Sequence, residues 1–262
     1  MCLIRKGLWL LRLILACGLL GGEWAHGQTV ALEGEGGERW RAFLGELRRL
    51  ETGTRTTPLR ILQLGDSHTA ADYFTEVLRR GLQDRFGDAG IGWLMPGKVS
   101  NYRSARVRIQ QSRGWSPQDS SRLSRIETDY GLGGFLNSPL AGGEWIRYEF
   151  KTDPPEVKTG DRIQVYYRGR GGRPWLPGGQ VPLEEARDGH HWILAEGRSP
   201  AGGFEVRSPG GGGIILSGVV LETGQAGVVL DSIGIIGAHL NLLFHWDPEG
   251  LKQQLNHRDY RL

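Results

Sequence analysis

The sequence predicts an α/β fold in which a parallel-sheet domain is interrupted by an inserted antiparallel β-sandwich. Three observations predict it. An apolar run, Leu59–Leu64, leads directly into a helix-patterned stretch, Thr69 to Phe86. A second apolar run, Val228–Ile233, is followed by another helix-like segment from Pro248. Between them, from about Val99 to Gly227, helical periodicity gives way to short alternating runs separated by Gly/Pro clusters.

Taken in order, residues 1–27 read as a secretory leader. Arg5 and Lys6 precede a largely apolar stretch from Gly7 to Gly22, and Ala25-His26-Gly27 supplies small residues for cleavage. Arg12 interrupts the apolar run, which argues against a permanent transmembrane helix. The alternative for this segment is lipidation at Cys17. Residues 28–98 form the next section. Trp40, Phe43, Leu44, Leu47 and Leu50 fall at helical spacing, so 37–51 is expected as an amphipathic helix packed on the domain that follows. Leu59–Leu64 is continuous enough for a strand covered on both faces. Phe74, Val77, Leu78, Leu82 and Phe86 mark the expected buried face of the next helix.

Residues 99–227 are the expected sandwich. Ile146, Tyr148 and Phe150 alternate with Arg147 and Glu149, and Ile163, Val165 and Tyr167 alternate likewise. Alternation turns half of each strand inward, so most of the aromatics here (Trp115, Trp145, Trp192, Tyr148, Tyr166, Tyr167) are expected in the core. Trp175 sits on a Gly/Pro-rich loop and is the candidate for an exposed sugar-stacking residue. Residues 228–262 return to the parallel sheet. A sheet ending after two parallel strands is expected to leave an unpaired edge.

Composition narrows the function classes. The whole chain carries 32 basic and 29 acidic residues, net +3. Removing Arg5, Lys6, Arg12 and Glu23 with the leader takes away +2 and leaves +1. No basic stripe appears, so nucleic acid is not expected as a partner. Both cysteines, Cys2 and Cys17, lie in the leader, so no disulfide is expected in the mature chain. No Cys/His pattern has zinc spacing, and neither a metal nor an organic cofactor is expected.

The chemistry concentrates at Gly65-Asp66-Ser67-His68. A serine at a strand-to-helix junction presents its hydroxyl at the carboxyl edge of the sheet. There the start of the following helix favours developing negative charge. The competing reading is an ordinary N-cap serine.

Ile61–Thr69 resembles the serine block of the SGNH (GDSL-type) hydrolases. With Gly90-Ile91-Gly92-Trp93, the β-rich insert and the run Val228–Ala238, the chain is similar to the Ape1/PatB-like peptidoglycan O-acetylesterase branch. The resemblance implies a flavodoxin-like parallel sheet with a carbohydrate-binding-module-like insert. It implies a secreted or periplasmic enzyme that removes O-acetyl groups from a polysaccharide such as peptidoglycan. Ser67 would be the nucleophile, and the backbone N–H of Gly237 an oxyanion-hole donor, with glycine there to avoid crowding the tetrahedral intermediate. Asp66 and His68 would support the turn.

The family's Gly-x-Asn block and late Asp-x-x-His pair are not found in the sequence, so the hydrolase domain is expected to be C-terminally incomplete. The one Asp-x-x-His, Asp188–His191, falls inside the insert. His239 and His245 follow the second block and are expected to be surface or packing residues. The alternatives to an esterase are a catalytically inactive carbohydrate-binding protein and a gene fragment.

Overall fold

The computed structural model describes residues 34–121, 129–151, 161–179, 192–211 and 213–262. The leader with Cys17, and Asp188–His191, lie outside the described residues. Two units are distinguished, one ending at Gly45 and one spanning Glu46–Leu262. Helix α1 covers Gly34–Glu51, with the Trp40 and Phe43 rings 5.5 Å apart.

In the second unit the fold is mixed α/β and mostly sheet, part parallel and part antiparallel. Strands β1 (Pro58–Gly65) and β11 (Gly227–Gly234) pair in parallel and in full register, from Pro58 opposite Gly227 to Gly65 opposite Gly234. Every residue of β11 is buried, which suits a strand that is apolar except for Asp231 and Ser232. The outer edge of β11 meets Asp88, bridged to Val228. The free edge of β1 is partly occupied. Arg261 N–H donates to the Arg60 carbonyl at 3.0 Å, and Leu62 N–H to the Leu262 carbonyl at 2.8 Å.

The β-rich stretch builds two antiparallel sheets. Strands β3 (Val107–Gln111), β6 (Trp145–Phe150) and β9 (Gly203–Arg207) form one, in the order β3-β6-β9. The other has the order β4-β5-β10-β7-β8. These strands are β4 (Trp115–Asp119), β5 (Phe135–Pro139), β7 (Arg162–Gly169), β8 (Ile193–Arg198) and β10 (Ile214–Glu222). Alternation puts Ile146, Tyr148, Phe204 and Val206 of the first sheet against Ile163, Val165, Val219 and Leu221 of the second. Tyr148 and Phe204 stack at 4.8 Å within that core. Strand β2 (Gly92–Leu94) lies before residue 99, yet pairs antiparallel with β10. Trp115 and Trp192 are core residues, as alternation predicted.

Helix α2 (Ser67–Ala70) and helix α3 (Tyr73–Phe86) replace the single helix expected from Thr69 to Phe86. The break falls at Asp72, which adopts φ 55 and is buried. Its Oδ1 accepts from Thr75 Oγ1 at 2.7 Å, and its Oδ2 from the Ala105 N–H at 2.8 Å. The break also turns α3. Thr75, Glu76, Arg79, Leu82 and Gln83 face inward, while Tyr73, Phe74 and Val77 are exposed. Of the apolar face read from the sequence, Phe74 and Val77 point outward, Leu78 and Phe86 are half-buried and Leu82 is buried. The reason is polar pairing: Glu76 gathers Arg79, Arg80 and Arg106, and Arg79 also reaches Asp72. A buried carboxylate is tolerable only with such partners.

Helix α4 (Pro248–Arg258) is pinned by a second buried network. Arg258 is 1% exposed and donates from Nε to Asp231 on β11 at 2.8 Å. It also pairs with Glu222 on β10 at 2.7 Å. Glu222 accepts two bonds from Arg60 on β1, both 2.8 Å. Asp231 further accepts from Tyr260 Oη and from the Trp93 N–H. Burial alone would raise the pKa of Glu222. The hydrogen bonds from Arg60 and the charge of Arg258 outweigh it and hold the pKa at about 2.

A carboxylate depressed in the folded state stabilises it above its unfolded pKa near 4.5 and loses that contribution as pH falls toward 2. The shift corresponds to about 3 kcal/mol. Melting temperature is accordingly expected to fall between pH 4.5 and 2, and Glu222→Gln to flatten that part of the profile. An unchanged profile in Glu222→Gln would assign the acid sensitivity elsewhere.

Candidate active site

Two strands that run in parallel end side by side, and the residues just past their ends define the site. Past Gly65, Asp66 caps α2: its Oδ1 accepts from the His68 N–H at 2.9 Å and bonds His68 Nδ1 at 3.2 Å. Ser67 is the first residue of α2 and is exposed. Past Gly234, Ile235 N–H donates to the Gly65 carbonyl at 3.0 Å, extending the ladder one step. Ala238 N–H then closes a turn onto the Ile235 carbonyl at 3.0 Å, with Gly237 at φ 76. Ser67 and Gly237 therefore stand at the same carboxyl edge, just past the ends of neighbouring strands.

Both strand-end glycines are sterically required. A Cβ on Gly65 would lie 2.0 Å from Thr69 Oγ1, and one on Gly234 would lie 2.1 Å from the Ala70 backbone nitrogen. The first turn of α2 sits directly on the paired strand ends, and only hydrogen fits between them. Gly234→Ala must move backbone, not a flexible side-chain tip. It is expected to lower stability by about 1–3 kcal/mol, as overpacking does, and to displace the Ser67 turn. A thermal melt within 1 °C (roughly the change from ~0.3 kcal/mol) of the parent would contradict this.

Gly237 has a different reason. Nothing lies within 4 Å of a Cβ built there, so it is not crowded by its own chain. Its positive φ is what favours glycine.

The expected electrostatic aid from a long helix behind Ser67 is corrected. A macrodipole needs many aligned peptides, and α2 has four residues before the chain breaks. Local N–H groups at the strand ends, not a helix field, are the available donors. The Asp66 carboxyl titrates below the usual range, chiefly through the hydrogen bond from the His68 backbone, with help from the His68 ring. The His68 ring is highly exposed and turned to Asp66. Among the described residues, no hydrogen bond to the Ser67 hydroxyl is present. His239 is exposed two positions past Gly237. Among the described residues, no group of three or more His, Cys, Asp or Glu is arranged to hold a metal. No helix among them is long and apolar enough to cross a membrane.

Trp175, 55% exposed, belongs to a different surface. Its backbone exchanges hydrogen bonds with Arg207 of β9 at 2.9 and 3.1 Å.

Two roles went unread in the sequence. Asp231 is fully buried in β11 and organises Arg258, Tyr260 and Trp93. The signal was present as one charge inside an apolar run. Asp72 sets the angle between α2 and α3, and a single aspartate near a helix start gave no such signal.

Residues 89–175 match the family described as the N-terminal region of peptidoglycan O-acetylesterases, Ape1. Over that stretch the chain is similar to the Ape1 family. The match falls on β2 through β7 and the Trp175 loop, not on Ser67 or Gly237. A solved peptidoglycan O-acetylesterase structure is similar as well, with TM-score 0.65 and 26% identity. That similarity covers 79% of this chain and 55% of the solved one, so the chain spans little more than half that protein's length. No curated protein matches the chain.

Proposed function

We propose that this chain carries the nucleophile-bearing part of an SGNH-type serine esterase that removes O-acetyl groups from peptidoglycan. One observation supports it most. Ser67 and Gly237 lie beyond the paired ends of adjacent parallel strands, at one edge of the sheet. In this reading Ser67 Oγ attacks the acetyl carbonyl carbon, and its proton passes to a base. The N–H groups of Ser67 and Gly237 stabilise the oxyanion. The acetyl C–O bond to the sugar breaks, the sugar hydroxyl leaves protonated, and water releases acetate from the acyl-serine. Asp66 and His68 hold the turn. The parallel sheet is read as flavodoxin-like, and a cell-wall substrate places the chain outside the cytoplasm behind its leader. Neither metal nor organic cofactor is assigned a step.

The test is acetate release from O-acetylated peptidoglycan by the purified chain, with saponified peptidoglycan as the blank. Imidazole is added in a parallel series as an exogenous base. Release no greater than the blank in both series would overturn the proposal. A second reading, glycan binding without catalysis, is favoured by Trp175, 55% exposed beside Arg207 on a surface apart from Ser67.

A further inference from the structure

We propose that Arg103, held over the Tyr73 ring beside the Ser67 turn, is an anion subsite that takes a carboxylate of the substrate polymer. With peptidoglycan as that polymer, the carboxylates are those of its peptides. That identity rests on the proposed function, but the cationic site itself does not.

The backbone under Arg103 is laced to the two helices that follow β1. Arg103 N–H donates to the carbonyl of Ala70, the last residue of α2, at 3.0 Å. Ala70 lies three residues, about 4.5 Å of helical rise, past Ser67. Two positions after Arg103, Ala105 N–H donates to Asp72 Oδ2 at 2.8 Å. The Arg103 guanidinium lies over the Tyr73 ring, 4.1 Å from its centre. Tyr73 opens α3 and is 64% exposed, so the pair faces solvent. A guanidinium stacked on an aromatic face keeps its edge N–H groups free, and that fork matches two carboxylate oxygens at once.

The charge around this fork is unmatched. Arg103, Arg108 and Lys151 are all exposed, and among the described residues none of the three is in an ion pair with a carboxylate. The buried arginines differ: Arg79 and Arg106 pair with Glu76, and Arg258 with Glu222. Lys151 Nζ donates to the Ser104 carbonyl at 2.5 Å, which puts its ammonium next to Arg103. Arg108 joins them because β3 and β6 pair with Val107 opposite Phe150. Burial lowers the Lys151 pKa, and the charges of Arg103 and Arg108 lower it further, with Asp72 acting the other way. The carboxylates nearby do not answer this excess. Asp72 is buried and taken up by Arg79, and Glu149 stands opposite Arg108 in register without an ion pair. Like charges held together cost free energy that a bound anion relieves. A neutral acetylated glycan offers such a cluster no partner, whereas a polymer carrying carboxylates does.

The experiment measures retention of the full chain on insoluble O-acetylated peptidoglycan, before and after the polymer's carboxylates are coupled to glycinamide with a carbodiimide. The coupling removes the negative charges and leaves the acetyl esters. Amidation is expected to weaken retention of the parent roughly tenfold or more, the effect of losing a charge-assisted pair of hydrogen bonds. Arg103→Gln is expected to bind the native polymer as weakly as the parent binds the amidated one, and to be indifferent to amidation. Arg103→Lys keeps the charge without the fork and is expected to fall between them. Arg113→Gln removes an equal charge from an exposed position past the far end of β3 and serves as the control. Thermal melts identify any variant that fails to fold. Lys151→Gln, which leaves the Arg103–Tyr73 pair intact, is the second probe and is also expected to weaken retention on the native polymer.

Retention of the parent that amidation leaves unchanged would overturn the proposal, as would no retention on the native polymer. Equal losses in Arg103→Gln and Arg113→Gln would overturn it too, by assigning the effect to overall charge. Displacement of the bound parent by inorganic phosphate, at a concentration where acetate has no effect, would assign the cluster to a phosphate instead. Acetate release is recorded on the same polymer. Release with amidation-insensitive retention rejects the subsite and leaves the esterase, and amidation-sensitive retention without release does the reverse.

Discussion

Ser67→Ala is expected to lower acetyl-ester hydrolysis by at least about 10³-fold wherever a base completes the site, because the covalent path through acyl-serine disappears. The measurement is p-nitrophenyl acetate hydrolysis by parent and variant across pH 5–9, a window around the ordinary His pKa near 6.5. The comparison has a second arm. Among the described residues, no imidazole is bonded to the Ser67 hydroxyl, and a serine at its ordinary pKa is a weak nucleophile. Added imidazole is therefore expected to raise the parent rate and leave Ser67→Ala unchanged. Equal rates for parent and variant, with and without imidazole, would remove Ser67 from the chemistry. Ser67 would then be only the first residue of a short capped helix.

Arg258→Ala is expected to cost about 3–5 kcal/mol of stability, because it leaves buried carboxylates with too few partners. Asp231 has no exposed surface and Glu222 only 2%, so water cannot replace the lost guanidinium. For a chain of this size the loss corresponds to a melting temperature lower by roughly 10 °C. Arg258→Lys keeps a charge but loses the planar fork that reaches Glu222 and Asp231 together, so it is expected to fall between parent and Ala. The consequence extends past the helix. Arg261 and Leu262 lie three and four positions after Arg258 and bond the β1 edge at Arg60 and Leu62. Loosening α4 uncovers that edge, so Arg258→Ala is also expected to self-associate on size exclusion at concentrations where the parent does not. A variant that melts within ~2 °C of the parent would show that the network contributes little net stability, as some buried ion pairs do.

Much of the architecture was legible because periodicity reports burial. The run Leu59–Leu64 and the run Val228–Ile233 became parallel neighbours, and the alternation at Ile146–Phe150 became a strand with one face in the core. Helix α3 was misread where periodicity was a poor guide. Phe74 and Val77 have helical spacing, but the inward face is chosen by Glu76 and Arg79, whose partners Arg106 and Asp72 lie on other segments. A pattern rule scores apolar residues and cannot see that a charge network outbids them. The site showed the same division. The Gly-Asp-Ser-His turn announced Ser67, whereas Asp72, Asp231 and the face carrying Arg147, Glu205 and Arg207 depended on contacts remote in sequence.

The sequence by itself determined the alternation of strand types and the position of the serine, because each is written in neighbouring residues. Only the tertiary structure decided which residues meet. Gly234 must be glycine because Ala70, 164 positions earlier, packs against it. Gly237 lies beside the serine edge because Gly65 pairs with Gly234. Arg147 and Trp175 line one concavity because β9 returns next to β6. Burial and hydrogen-bond satisfaction are properties of the assembled chain, and no local window of residues contains them.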